Sequence, residues 1–388
     1  MIRSTQFRKR SQLAAHALWD QLVRPQATDA AEVPWSAEAI TPTWISAVLA
    51  KDSGAQAERV VITGGDDGSS VRRAITVEWD AAGRAAGLPT LLFAKTTPTA
   101  ATRLSAGMVA PTEGRFLTEI RPRLDIEAPV CLHTGRDPVS GRSIHLFEDL
   151  SLTKGAKFFR IHDTIDRRQA EGIVDTLADL HGTFWAPAPG RPSMDDVTWL
   201  GTFENFFEGG VRVGIGAGHE QAMTRAASVI PPAITARRNE VWPAIVRASK
   251  QPGTRTVIHS DVHLGNWYVT GDGQIGLSDW ARVCRGHGTR DIAYSLMTTL
   301  TVENRRAWQD ALLQRYLDRL RSKFGIDMSW DELMKGFRQQ SFSALMMWTP
   351  TLCPPPLLPD MQTEATSMEM IKRITTAMDD IQALDSFA

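Results

Sequence analysis

Short apolar runs alternate with clusters of polar residues between Val257 and Ala293. Val257-Ile258, Trp267-Tyr268-Val269 and Ile275 to Leu277 have the length and the β-branched or aromatic character of strands. Gly271-Asp272-Gly273 separates the last two, and because Gly and Asp tolerate the dihedrals of a tight reversal, the segment predicts a hairpin with polar groups at its ends. Upstream, residues 11–24 place Ala14, Ala17, Leu18 and Leu22 near one helical face, with Pro25 as the stop, and Thr43 to Lys51 suggests a second helix. From Arg59 the pattern becomes strand, glycine-rich turn, strand, followed by a strand at Leu91 to Ala94 that ends in Lys95. A helix is expected near 113–120, an extended segment at Pro129 to His133, a turn at Asp137 to Gly141 and a strand from Ser143 towards Leu150.

Beyond that point the period is helical. Arg167 to Trp185 carries Ile173, Leu177, Leu180 and Phe184 at three- and four-residue spacings, which predicts a helix with one buried face. Residues 186–215 read as irregular cover, with 209–218 a candidate mobile stretch, and 219–249 as further helices. More helices are expected at 291–300, 304–322, 331–348 and 363–384, and the prolines at 354–356 must interrupt the last part. Met346, Met347 and Trp348 read as helical core sooner than as the lining of a pocket.

The chemistry sits in V-I-H-S-D-V-H-L-G-N and L-S-D-W. A carboxylate among polar neighbours can accept the proton of an attacking hydroxyl, and an amide oxygen with a second carboxylate can hold magnesium against phosphates. The hairpin would bring Asn266 and Asp279 together. An acidic residue in a surface turn is commonplace, so the reading rests on several such groups in order.

These motifs resemble the H-G-D-x-H-x-x-N and I-D-W/F elements of the aminoglycoside phosphotransferase and choline kinase-like families, relatives of protein kinases. The resemblance implies an α+β, bilobal protein-kinase-like fold with a small β-rich N-lobe and a larger, mainly helical C-lobe. It implies Asp261 as the catalytic base, Asn266 and Asp279 as magnesium ligands, and Asp291 as the brace of the catalytic loop. His259 is expected to support that loop structurally, and His181 to be a satisfied core histidine. Ser260 replaces the usual glycine and Leu264 a frequent proline, neither of which removes a chemical group. Lys95 is placed as the nucleotide-phosphate lysine with Glu113 behind it. Glu119 is the competing partner, and helical spacing cannot put both carboxylates on one face. The turn with Gly64, Gly65 and Gly68 could offer backbone N–H groups to phosphate or be an ordinary hairpin, and it lacks Walker spacing. The segment Phe147, Glu148, Asp149 and Leu150 would meet adenine through main-chain atoms.

The division expected is an N-terminal helical extension at 1–58, a nucleotide-binding N-lobe and hinge at 59–150 and a helical C-lobe at 151–388. The chain of 388 residues is 43% hydrophobic and 22% charged, the balance of a globular protein large enough to bury a sizeable core. A formal net charge of -1 offers no basis for a broad nucleic-acid surface. Cys131, Cys284 and Cys353 are isolated and odd in number, which argues against a disulfide framework and for a reducing compartment such as the cytoplasm. The basic start lacks the apolar core of a secretory signal, and no apolar run is long enough to span a membrane. The expected activity is transfer of the terminal phosphoryl group of ATP, or GTP, to a hydroxyl of a small molecule, with magnesium. A nucleotide-binding pseudokinase and an atypical protein kinase are the alternatives, the second disfavoured by the short span from Asp279 to Asp291.

Overall fold

The computed structural model describes residues 2–68, 70–106, 109–185, 192–251, 255–356 and 361–387, with side chains from residue 11 onward except at 105, 106 and 110. Residues 186–191, the start of the irregular cover expected over 186–215, lie outside the described residues.

Five strands follow from the alternating sequence of the N-terminal third. They are β1 (Ala57–Asp67), β2 (Val71–Trp79), β3 (Leu91–Thr96), β4 (Cys131–Arg136) and β5 (Ser143–Glu148), and they form one antiparallel sheet in the order β1-β2-β3-β5-β4. Ile75, Val77 and Trp79 of β2, Leu92 and Ala94 of β3, and Ile144 and Leu146 of β5 share one buried core with Trp44 and Ile45. Those last two belong to helix Pro42–Leu49, which starts where Thr41 accepts the Trp44 N–H at 3.1 Å and Pro42 supplies a preset φ.

The glycine-rich turn lies later than the sequence suggests. β1 runs on through Gly64 and Gly65 to Asp67, with a register shift between Ile62 and Gly64. Gly65 has φ 146°, and a Cβ there would lie 2.1 Å from the Arg72 carbonyl oxygen. These glycines therefore permit close approach of β2 within a bulged strand.

The first helix, Ile2–Val23, is tied to this unit by Asp20. The carboxylate is wholly buried and accepts from Arg103 at 2.6 Å and Arg142 at 2.5 Å. Burial acts to raise its pKa, but hydrogen bonds from Arg142 and Arg103 outweigh that and hold it below the ordinary aspartate value. Asp20→Ala strands a buried guanidinium and is expected to cost about 3–5 kcal/mol. A depressed folded pKa means the carboxylate's stabilisation is complete above the unfolded value and lost as pH falls through the folded one. Melting temperatures of wild type and variant should thus differ at pH 7 and draw together only as pH falls from about 4 through the lowered folded value.

The C-terminal part is larger and mainly helical, so the protein is a bilobal α+β fold of the protein-kinase-like kind. Helix Gly288–Thr299 is buried along its whole length and packs on helix Trp330–Leu352. Helices Arg167–Trp185, Val302–Phe324 and Glu364–Asp380 complete the scaffold around them. Met346 and Trp348 are buried in Trp330–Leu352, in keeping with a core role.

One sequence expectation fails here. The stretch F-E-N-F-F-E-G-G is not irregular: Phe203–Val213 is helical and Ile215–Arg225 follows it. Thr202 and Asn205 form a reciprocal cap, Phe203 and Phe207 bury one face, and Gly214 at φ 103° joins the two helices. The paired glycines concealed this amphipathic period, and they place 209–218 largely within helix.

The predicted hairpin is present, Trp267–Val269 pairing antiparallel with Ile275–Leu277. Strand Thr256–Ile258 does not join it, and pairs with Cys284–Gly286 instead. Among the described residues no helix is long and apolar enough to cross a membrane.

Candidate active site

Asp291, in the first turn of helix Gly288–Thr299, is fully buried and organises the segment 259–266. Its carboxylate accepts the backbone N–H of His259 at 2.7 Å and that of Ser260 at 3.0 Å. Arg290 Nη1 approaches it at 3.3 Å and His181 Nε2 at 3.5 Å. Burial pushes its pKa up, but the adjoining His181 ring and the Arg290 guanidinium prevail and leave it below the ordinary value. His181 is a buried core histidine satisfied on one side: Nδ1 lies 2.8 Å from the Tyr316 hydroxyl, while Nε2, facing Asp291, makes no hydrogen bond among the described residues.

Two consecutive N–H groups can reach one carboxylate because Ser260 turns left-handed, at φ 72°. That is the conformation glycine adopts without penalty, so serine holds here a backbone strained by roughly 1 kcal/mol. Arg290 Nη1 secures the turn by donating to the Ser260 carbonyl at 2.9 Å.

His259 links this turn to the end of the hairpin. Its Nδ1 accepts the Asp261 N–H at 3.2 Å, which leaves Nε2 to donate to the Ser278 carbonyl at 2.9 Å. Burial keeps the imidazole pKa below its usual value, consistent with this one neutral tautomer. The ring also meets Trp280 edge-on, with centroids 4.7 Å apart.

Asn266 is tied to both neighbours. Its Nδ2 donates to the Asp261 carbonyl at 2.7 Å, so Oδ1 is the atom left to bind a cation. Its own carbonyl accepts from the Ser278 N–H at 2.8 Å and hydroxyl at 2.9 Å. Asp279 follows directly, held left-handed at φ 61° before the turn Trp280–Arg282. One end of the hairpin thus brings an amide oxygen and a carboxylate-bearing residue together on a backbone fixed by His259 and Ser278. Hard oxygen donors of this kind suit magnesium.

Asp261 is about a quarter exposed, at 23%. Its Oδ1 accepts from the Tyr294 hydroxyl at 3.3 Å, Arg282 Nε lies 3.5 Å from Oδ2, and His263 Nε2 lies 3.9 Å from Oδ1. Tyr294 is buried, and desolvation with the adjoining Asp261 charge raises its pKa well above normal, so it stays a phenol and donates.

In the sheet unit, Lys95 pairs with Glu113 at 2.7 and 2.9 Å, while Glu119 takes Arg115 at 2.5 Å. Glu113 ends up beneath the sheet because helix Ala110–Arg115 continues as a π turn over Phe116–Ile120 that buries Phe116, Leu117 and Ile120. His145, opposite Lys95 on β5, stands 3.8 Å from Glu113 and is fixed by Thr134 at 2.8 Å. Phe147 and Glu148 finish β5, whereas Asp149 leaves the strand to cap the short helix Leu150–Thr153.

The sequence of residues 98–326 matches the profile of the phosphotransferase enzyme family. The chain belongs to that family. The matched span includes Glu113 and everything from His259 to Asp291, and starts after Lys95 and the β1–β2 glycines. Among solved structures, the GDP complex of aminoglycoside 2′-phosphotransferase-IIIa is 10% identical, with a TM-score of 0.51 over 83% of this chain and 93% of that one. Macrolide 2′-phosphotransferase of Brachybacterium faecium is 15% identical over 81% and 91% of the two chains, TM-score 0.44. Choline kinase of Streptococcus pneumoniae is 13% identical over 84% and 94%, TM-score 0.45. At 10% identity the likeness to the aminoglycoside enzyme concerns the fold alone. No curated protein sequence matches the chain.

Tyr294, Arg282 and Arg290 were not singled out by the sequence. Tyr294 and Arg282 both meet Asp261, which lies far from each along the chain, so no local spacing signals either contact.

Proposed function

We propose that this member of the phosphotransferase enzyme family transfers the γ-phosphoryl group of ATP, or GTP, to a hydroxyl of a small molecule. The observation that carries the reading is the linked backbone of 259–266 and 278–279. There one buried aspartate and one neutral histidine fix a partly exposed carboxylate beside an amide oxygen free for a cation. Asp261 orients the acceptor hydroxyl and accepts its proton, with the Tyr294 hydroxyl and the Arg282 guanidinium positioning the carboxylate. Asn266 Oδ1 and the Asp279 carboxylate are the groups that would hold magnesium, which when bound offsets charge on the phosphate oxygens. Lys95, kept in place by Glu113, neutralises phosphate charge on the nucleotide, and Phe147 to Leu150 supply main-chain groups for the base. On this reading the nucleotide-binding residues fall within 59–150 and the catalytic and metal loops within 151–388.

Asp279→Ala tests the metal assignment. Calorimetric titration of ATP with and without magnesium should show metal-dependent tightening in the wild type and its loss in the variant. An unchanged magnesium dependence removes Asp279 from the site.

A further inference from the structure

Helix Phe203–Val213 meets the candidate catalytic loop through two guanidiniums. At its first residue, the Phe203 ring lies 3.9 Å from Cζ of Arg290, whose Nη1 donates to the Ser260 carbonyl. One turn on, Cζ of Arg282 stands 5.0 Å over the Phe206 ring, with Nε 3.5 Å from Asp261 Oδ2. The two rings are 5.9 Å apart, so a single helical turn carries both contacts.

The rings differ in what else they do. Phe203 and Phe207 are buried and make up the core face of the helix, whereas Phe206 is 38% exposed, so core packing does not account for it. The Arg282 side chain is also partly exposed, and among the described residues its guanidinium donates no hydrogen bond. A long side chain free of such bonds samples many rotamers, and keeping it beside one carboxylate requires a surface that limits them. The negative face of an aromatic ring is such a surface for a guanidinium. Asp261 is in turn approached from two sides, by Tyr294 at Oδ1 and by Arg282 at Oδ2.

We propose that Phe206 is a positioning residue: its aromatic face keeps Arg282 against Asp261 and so fixes how the carboxylate is presented to the acceptor hydroxyl. The role rests on Asp261 being the base, and adds to it a dependence on a helix that carries none of the motif residues. A small misorientation of a base lowers kcat and leaves nucleotide affinity alone.

The test compares Phe206→Leu, Phe206→Tyr and Arg282→Gln in the whole chain, assayed for ATP-dependent phosphorylation of a panel of small hydroxyl compounds, with crystal structures of the wild type and Phe206→Leu. Leucine keeps apolar bulk, and tyrosine keeps the aromatic face. Phe206→Leu should lower kcat roughly two- to five-fold, the worth of one partly exposed cation–π contact, with magnesium–ATP affinity unchanged, and Phe206→Tyr should retain wild-type turnover. Arg282→Gln should lower kcat as well, and adding Phe206→Leu to it should cost nothing further, because the ring then has no guanidinium to hold. Wild-type kcat in Phe206→Leu, equal losses with leucine and tyrosine, or additive losses in the double variant would overturn the proposal. The crystals decide the link without turnover: Arg282 is expected to leave Asp261 in Phe206→Leu, and an unmoved Arg282 would sink the role of Phe206 whatever the activity. A wild type that phosphorylates nothing, with Arg282 released in the variant, would count against the phosphotransferase reading and for the link.

Discussion

Asp261→Asn is expected to lower turnover by roughly 10²–10⁴-fold, the range for a positioned acid–base group. The substitution keeps the shape of the side chain and one oxygen to accept from Tyr294, so the fold should survive. What it removes is the negative charge that draws the hydroxyl proton and attracts Arg282, 3.5 Å away. Neither Asn266 nor Asp279 is altered, and magnesium–ATP affinity should stay near the wild-type value. Turnover with a verified acceptor, measured beside calorimetric nucleotide binding, checks both halves. Near-normal turnover rejects Asp261 as the base, and lost nucleotide affinity would show that the variant acts through the metal site.

Asp291→Ala should produce the larger structural effect. It leaves the N–H groups of His259 and Ser260 buried without an acceptor and deprives Arg290 of its adjacent carboxylate. Breaking a buried, multiply hydrogen-bonded charge in this way costs about 3–5 kcal/mol. Asp291→Asn retains one acceptor oxygen and should cost less, which separates lost hydrogen bonds from lost charge. Chemical denaturation followed through tryptophan fluorescence reads this, since Trp267 and Trp280 are buried and Trp280 packs on His259. Wild-type stability of Asp291→Ala would show that the loop is held by other contacts.

The elements most legible in the sequence are those where local pattern and burial agree. Helix Arg167–Trp185, strand Leu91–Thr96 and the hairpin around Gly271 fall where periodicity and turn chemistry put them. Phe203–Val213 was hidden because Gly209 and Gly210 look like loop, although the Thr202–Asn205 cap and the Phe203/Phe207 stripe were present to be read. The β1 glycines misled for the opposite reason, since a bulge and a turn use the same residue and differ only in pairing. The strand partnership of Thr256–Ile258 with Cys284–Gly286 has no local signal at all.

For the candidate site, the motif carboxylates and Asn266 were visible because their residue types are distinctive. The groups that connect them are less so. Helical spacing left Glu113 and Glu119 as rivals for Lys95, and the π turn at Phe116–Ile120 with the Arg115–Glu119 pair separates them. Arg290 and Tyr294 sit in a helix whose every residue is buried, where a sequence shows only a mixed polar and apolar run.

A crystal structure with magnesium and a non-hydrolysable ATP analogue tests the central claim most directly. The account requires the metal to be ligated by both Asn266 Oδ1 and the Asp279 carboxylate, with Lys95 on the phosphates and Asp261 facing the terminal one. A nucleotide bound elsewhere, or a metal held by neither residue, would contradict it.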